Sequence, residues 1–171
     1  GFDSGSGINR YEISIDNGSY IATALATNYT IQGLDDGVHE ISLCAIDNLG
    51  NENMTEISFL VDTIPPVVDF MSPDNTTIRV PTVTVGWNVS DAMSGIELCE
   101  IRIDGAQWVD TGANTTYSFH QISDGRHLID LRAFDRAGNV QQIQLSLVVN
   151  TSLIGGPGWE DDIIVFSAIG I

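Results

Sequence analysis

The sequence predicts an all-β chain: two tandem antiparallel β-sandwiches, the first short of its N-terminal strands, followed by an apolar tail. Three observations carry this. The chain repeats itself: residues 3–63 align without a gap on residues 91–151, an offset of 88 (91 − 3), with 23 of 61 positions identical. Apolar and polar residues alternate with a period of two rather than the three to four of a helix. Clusters of Gly, Asn, Asp and Pro interrupt the alternation about every 8 to 12 residues, the spacing of short antiparallel strands. A repeat comes first in the argument because each copy must be one folding unit. The expected domains are 1–63, an incomplete sandwich; 64–151, a complete one; 152–162, a Gly/Pro/acidic linker; and 163–171, the apolar tail.

Within the first copy, Tyr11, Ile13 and Ile15 alternate with Arg10, Glu12 and Ser14, which describes a half-buried strand. Asp16-Asn17-Gly18 signals a hairpin, with Gly expected to supply the positive φ. Short strands are expected around Tyr20 and from about Tyr29 to Ile31. Asp35-Asp36-Gly37 turns the chain into a strand with His39, Ile41, Leu43 and Ala45 on one face. Asp47 to Asn51 turns it again, into a last strand ending near Val61. Asp62-Thr63-Ile64-Pro65-Pro66 is the boundary, because two prolines stop pairing and hold an extended, semi-rigid link. The second copy has a leader, residues 64–90, that reads as two strands: Val67 to Met71, and an alternating run with Val83, Val85, Trp87 and Val89 on one face. Only Gly1 and Phe2 precede the first copy at that place, so the first sandwich is expected to lack two strands. The second copy then repeats the strands of the first.

Composition bounds function. The net charge is −17 and all six basic residues are arginine. Nucleic acid binding needs clustered Lys and Arg to displace counterions, so it is excluded as a partner. Cys44 and Cys99 stand at repeat positions held by Arg132 and Tyr11, so they form no disulfide framework and are expected as free thiols, Cys99 inward and Cys44 outward. Seven of the eleven asparagines head an Asn-x-Ser/Thr triplet: Asn17, Asn28, Asn53, Asn75, Asn88, Asn114 and Asn150. Chance would give about two, so these are candidate N-glycan acceptors of an exported chain, at turns, strand ends and outward phases.

Candidates for chemistry are few. The two Asp-x-x-x-Asn turns, Asp47 to Asn51 and Asp135 to Asn139, carry oxygen ligands suited to calcium, with Asp3, Asp91 or Asp62 as further donors. An ordinary hairpin turn explains the same residues, and no cofactor is expected beyond structural calcium. His39 and His127 are repeat equivalents read as structural, and His120 shows no partner. Tyr20 and Trp108 share one repeat position and suggest either an edge aromatic or a sugar-stacking platform. No serine, cysteine or carboxylate arrangement supports catalysis, so no enzyme activity is expected.

The string Asp-x-x-Ser-Gly-Ile, Glu-Ile-x-Ile-Asp, an aromatic, Asp-Gly-x-His, Ala-x-Asp-x-x-Gly-Asn and Val-Asp-Thr-x-Pro-Pro resembles the immunoglobulin-like or fibronectin-type-III-like repeats of large bacterial and archaeal cell-surface proteins. The match covers about 150 residues and is specific for the repeat class, not for an activity. The resemblance implies an extracellular location and a role as stalk, spacer, adhesive module or accessory domain. The first expectation is thus a glycosylated structural or adhesive surface protein whose partners are other surface proteins or copies of itself. The tail residues Ile163, Ile164, Val165, Phe166, Ile169 and Ile171 would begin a membrane segment, with Trp159 as an interface anchor. A second expectation makes the same tail a donor strand in an extracellular filament. A third is an accessory carbohydrate-binding module, with glycans as partners.

Overall fold

The computed structural model describes residues 5–74 and 76–154. Among them are twelve strands and no α-helix: β1 (Ile8–Ile15), β2 (Ile21–Ala24), β3 (Gly37–Asp47), β4 (Glu52–Val61), β5 (Val67–Ser72), β6 (Thr77–Ile78), β7 (Thr82–Ser90), β8 (Ile96–Ile103), β9 (Val109–Gly112), β10 (Thr116–His120), β11 (Gly125–Asp135) and β12 (Val140–Val149). A 3-10 turn, Thr151–Ile154, follows β12. The chain divides into two compact units at 64/65, with Ala92–Ser94 grouped with the first.

The second unit is a sandwich. One sheet has the order β10-β7-β5 and the other β6-β12-β11-β8-β9. Every pairing is antiparallel except β6 with β12, where Val148 faces Thr77 and Val149 faces Ile78 in parallel. The alternation puts one face of each sheet inward. Val83, Val85 and Trp87 from β7 meet Ile101 from β8, Ile129, Leu131 and Ala133 from β11, and Leu147 and Val149 from β12 in a single buried cluster. Ile101, Ile129 and Leu131 are completely shielded, and burying each stabilises the unit by about 1.5–3 kcal/mol.

The first unit contains one sheet, β2-β1-β3-β4. Its strands begin 88 residues before β8, β9, β11 and β12 (8 + 88 = 96, 21 + 88 = 109, 37 + 88 = 125, 52 + 88 = 140), and its pairings copy theirs. The residues equivalent to β10, 28–32, form no strand, contrary to expectation. The reason is the missing ladder. β10 pairs with β7, from Thr116 opposite Gly86 to His120 opposite Thr82. Among the described residues no strand of the first unit stands in the place of β7, so Tyr29 to Ile31 have the strand composition without a ladder.

Two local expectations are corrected. The β1–β2 turn is a two-residue type I′ turn in which Asp16 (φ 51°) and Asn17 (φ 58°) take the positive φ, and Gly18 donates its N–H to the Ile15 carbonyl at 2.8 Å. Cys44 shares the face of Ser42 but is buried, 4% exposed, because that face is not bare. In register beside it stand Glu12 and Met54, and beside Ser42 stands Glu56, longer side chains that rise around the small central residues of β3. Both thiols are free, and burial pushes each up.

Candidate functional site

The repeated polar residues are the natural candidates, and each of them builds structure. Asp47 sits at the end of β3. Its Oδ1 accepts the Leu49 and Asn51 N–H groups at 2.8 Å each, and its Oδ2 accepts Asn51 Nδ2 at 2.7 Å and Ser6 Oγ at 2.8 Å. Those donors hold its carboxyl down at about 2, the Asn51 side chain contributing most. The turn closes with Gly50 at φ 85°, where any other side chain is strained. Asp135 repeats this: Oδ1 takes the Asn139 N–H and Oδ2 takes Asn139 Nδ2, both at 2.8 Å, with Gly138 at φ 94°. The Asp47 and Asp135 carboxylates thus bond their own turns. Asp91 Oδ1 accepts the Gly95 N–H, whereas Asp62 accepts the Ile64 N–H through Oδ1 and the Ser94 N–H, 32 residues on, through Oδ2. Asp3 lies outside the described residues.

The two structural histidines have partners that were not foreseen. His127 Nδ1 lies 2.6 Å from Asp104 Oδ2, and its Nε2 donates to the Ser123 carbonyl at 2.8 Å. Asp104 Oδ1 also accepts the Leu128 N–H. In the first unit His39 bonds Asp16 Oδ2 at 2.7 Å and the Asp35 carbonyl at 2.8 Å, while Asp16 Oδ1 accepts the Glu40 N–H. Both ring nitrogens face acceptors, an arrangement that favours the imidazolium. The His127 pKa is therefore raised, chiefly by Asp104; that of His39 is raised chiefly by the Asp35 carbonyl, then Asp16. A third repeated acid ties off each copy: Asp36 accepts the Thr63 N–H at 2.9 Å, and Asp124 the Thr151 N–H at 2.9 Å.

The shared aromatic position resolves differently in the two units. Trp108 lies against two guanidinium groups, Arg102 at 4.3 Å and Arg132 at 4.2 Å from its ring centroid. Arg102 also bonds Asp130 at 2.8 Å, Arg132 pairs with Glu100, and Gln144 Nε2 donates to Asp130. The indole is part of a ladder on the outer face of the five-stranded sheet, worth about 0.5–1 kcal/mol per stacked cation. Tyr20 is 43% exposed, and at the places of the two arginines the first unit has Ser14 and Cys44. A concavity of about 220 Å³ in the second unit lies between Val89, Ile96, Glu97, Cys99, Gly112, Ala113 and Asn114. That is below the volume of ordinary ligand pockets.

Of the sequon asparagines, Asn17, Asn28, Asn53, Asn88 and Asn114 are exposed and Asn150 is partly exposed. Asn17 occupies the tip of the β1–β2 turn, and Asn88 the outer face of the central strand β7. Asn75, the linker from 155 and the tail residues 163–171 lie outside the described residues. No helix among the described residues is long and apolar enough to cross a membrane.

No family model and none of the curated proteins matches the chain. Solved structures do. The fibronectin(III)-like modules of Clostridium thermocellum CbhA superpose with a TM-score of 0.57 at 18% identity, over 94% of this chain and 88% of that one. A tetra-tandem repeat from the extending region of a large adhesion protein gives 0.33 at 18% identity, over 84% of this chain and 42% of that one. The Bacteroides ovatus surface protein SGBP-B, solved with a mixed-linkage heptasaccharide, gives 0.26 at 20%, over 83% and 38%. The first likeness shows the fold: all-β and fibronectin-III-like, with antiparallel sheets paired as a sandwich in the second unit.

Proposed function

We propose that this chain is a structural and adhesive module of an extracellular surface protein, N-glycosylated and without catalysis of its own. One observation carries the reading: every described sequon asparagine is at least partly exposed, while the repeated acids and histidines are spent inside the fold. Seven triplets stand where chance would give about two, and the described ones lie at turns, strand ends and outward phases. The fibronectin(III)-like fold of the CbhA modules supports the module reading. On this reading the run from Trp159 to Ile171 holds the module at a membrane.

Glycopeptide mass spectrometry of the protein purified from its native source tests it. Hexose-bearing modification is expected at Asn17, Asn28, Asn53, Asn88 and Asn114, and at Asn75 and Asn150. Unmodified peptides at all seven would overturn the extracellular glycoprotein reading.

The accessory carbohydrate-binding reading rests on Trp108, whose ring already holds two arginines. Polysaccharide retention that Trp108→Ala abolishes would restore it.

A further inference from the structure

The two copies end on equivalent strands, β4 and β12, and the edges of these strands differ. In the second unit β12 pairs with β11 without a register shift, from Val149 opposite Gly125 to Val140 opposite Phe134. Its other side meets β6 only at Val148 and Val149. Val148 and Asn150 donate their N–H groups to that side, to the Thr76 and Ile78 carbonyls. Successive residues of a strand direct their backbone groups to alternate sides, so those of Val140, Gln142, Gln144 and Ser146 point the same way. Among the described residues no strand pairs with them. The other edges of this unit are interrupted or short: β5 and β9 pair with register shifts, and β10 has five residues.

An unpaired edge is a template for another chain, and proteins blunt such edges with charge. β4 is blunted in this way, by Glu52 and Glu56, with the sequon asparagine Asn53 beside them. At the equivalent places, 88 residues on, β12 has Val140, Gln144 and Gln141, and the strand contains no charge, no proline and no glycine. The same edge is guarded in one copy of the repeat and left open in the other.

We propose that the open side of β12 is a self-association edge, and that its occupant is β12 of a second copy, added antiparallel. The inference names a partner for the adhesive reading and rests on it. Copies with a net charge of −17 repel one another, and at β12 two backbones meet with no carboxylate on either strand. The open run, residues 140–146, has Ile143 at its centre, so pairing about Ile143 uses all of it. Gln142 then lies opposite the second copy's Gln144, and each neutral amide can both donate and accept. Ile143, only partly buried against the core, meets the second copy's Ile143 on the inner face. The contact is isologous and closes as a two-fold dimer.

The test combines sedimentation equilibrium with amide hydrogen exchange on the full chain. The natural sequence is expected to show a concentration-dependent monomer–dimer equilibrium. In the dimer the amides of Gln142, Gln144 and Ser146 exchange about tenfold more slowly than in the monomer, while those of Gln141, Ile143 and Leu145, which face β11, are unchanged. Val140→Glu/Gln142→Glu puts charge at exposed edge positions and should raise the dimer dissociation constant about tenfold or more. Gln142→Pro removes one outward N–H, spares the β11 ladder and should act the same way. Ile143→Cys should give a disulfide-linked dimer on oxidation, because residues facing across the two-fold axis come within bridging distance. A natural chain that stays monomeric at all concentrations, with those three amides fast, overturns the contact. So does a dimer that both edge variants leave intact, which places association elsewhere. Protection of the three amides in a monomer gives the edge to the chain's own residues and overturns the second copy. A dimer of Ile143→Cys that does not cross-link overturns the register. Glycopeptide mass spectrometry tests the surface reading independently, so that reading and this contact fail separately.

Discussion

At the scale of single residues, the imidazole–carboxylate pairs set a pH dependence. His127 gains a carboxylate and a carbonyl on folding, so its folded pKa lies above the unfolded value near 6.5. Its contribution is fully present below that value and is lost as pH rises through the folded pKa. The second unit's melting temperature should therefore fall as pH rises above about 6.5, and His127→Gln should flatten that slope. An unchanged slope in the variant would assign the dependence elsewhere. Asp135 is completely buried, and its two oxygens serve Asn139. Asp135→Ala removes the acceptor of a turn N–H and should cost about 1–3 kcal/mol in chemical denaturation. These partnerships were half legible. The residues Asp16 and His39, and Asp104 and His127, are identical in both copies at the same separation of 23. That coincidence was the available signal. Which oxygen meets which nitrogen depends on the turn conformation, which the sequence states only through its Asp, Asn and Gly.

At the scale of elements, position in the sandwich decides what a side chain is worth. Leu131 and Leu43 are the same residue at the same repeat position, yet one is completely buried and the other 39% exposed. Leu131→Ala should cost about 2–5 kcal/mol and Leu43→Ala under about 1 kcal/mol, measured on the same chain by denaturant titration. Equal costs would mean that the face of the first unit is covered as the second is. The same contrast explains which strands were legible. β3 and β11 read correctly because alternation and bounding turns are local. Residues 29–31 carry equally good strand chemistry and form none, because a strand exists only with a ladder partner. That partner is a property of the rest of the chain, not of the three residues. Cys44 was misjudged for a related reason: its phase was right, but its burial comes from Glu12 and Met54 on neighbouring strands.

At the scale of the whole molecule, the two units differ in the core they own. The buried cluster among the described residues belongs to the second unit alone. Heating should give two transitions by calorimetry, the lower one assigned to the first unit, and Leu131→Ala should move only the upper. A single transition that both core substitutions shift together would show the units to be thermodynamically coupled. The repeat made this organisation readable, since an offset of 88 locates every strand pair twice. Function was less readable, because the repeated acids and histidines serve turns and strand ends and leave no chemical constellation to recognise.

The parallel contact of β6 with β12 has a mechanical consequence. The first and last strands of the second unit's five-stranded sheet point the same way, tied by Val148 N–H to the Thr76 carbonyl at 2.7 Å and Asn150 N–H to the Ile78 carbonyl at 2.8 Å. Tension that reaches β6 from its N-terminal side and β12 from its C-terminal side pulls these strands lengthwise past each other. Their hydrogen bonds then bear the load together in shear instead of opening one by one like a zipper.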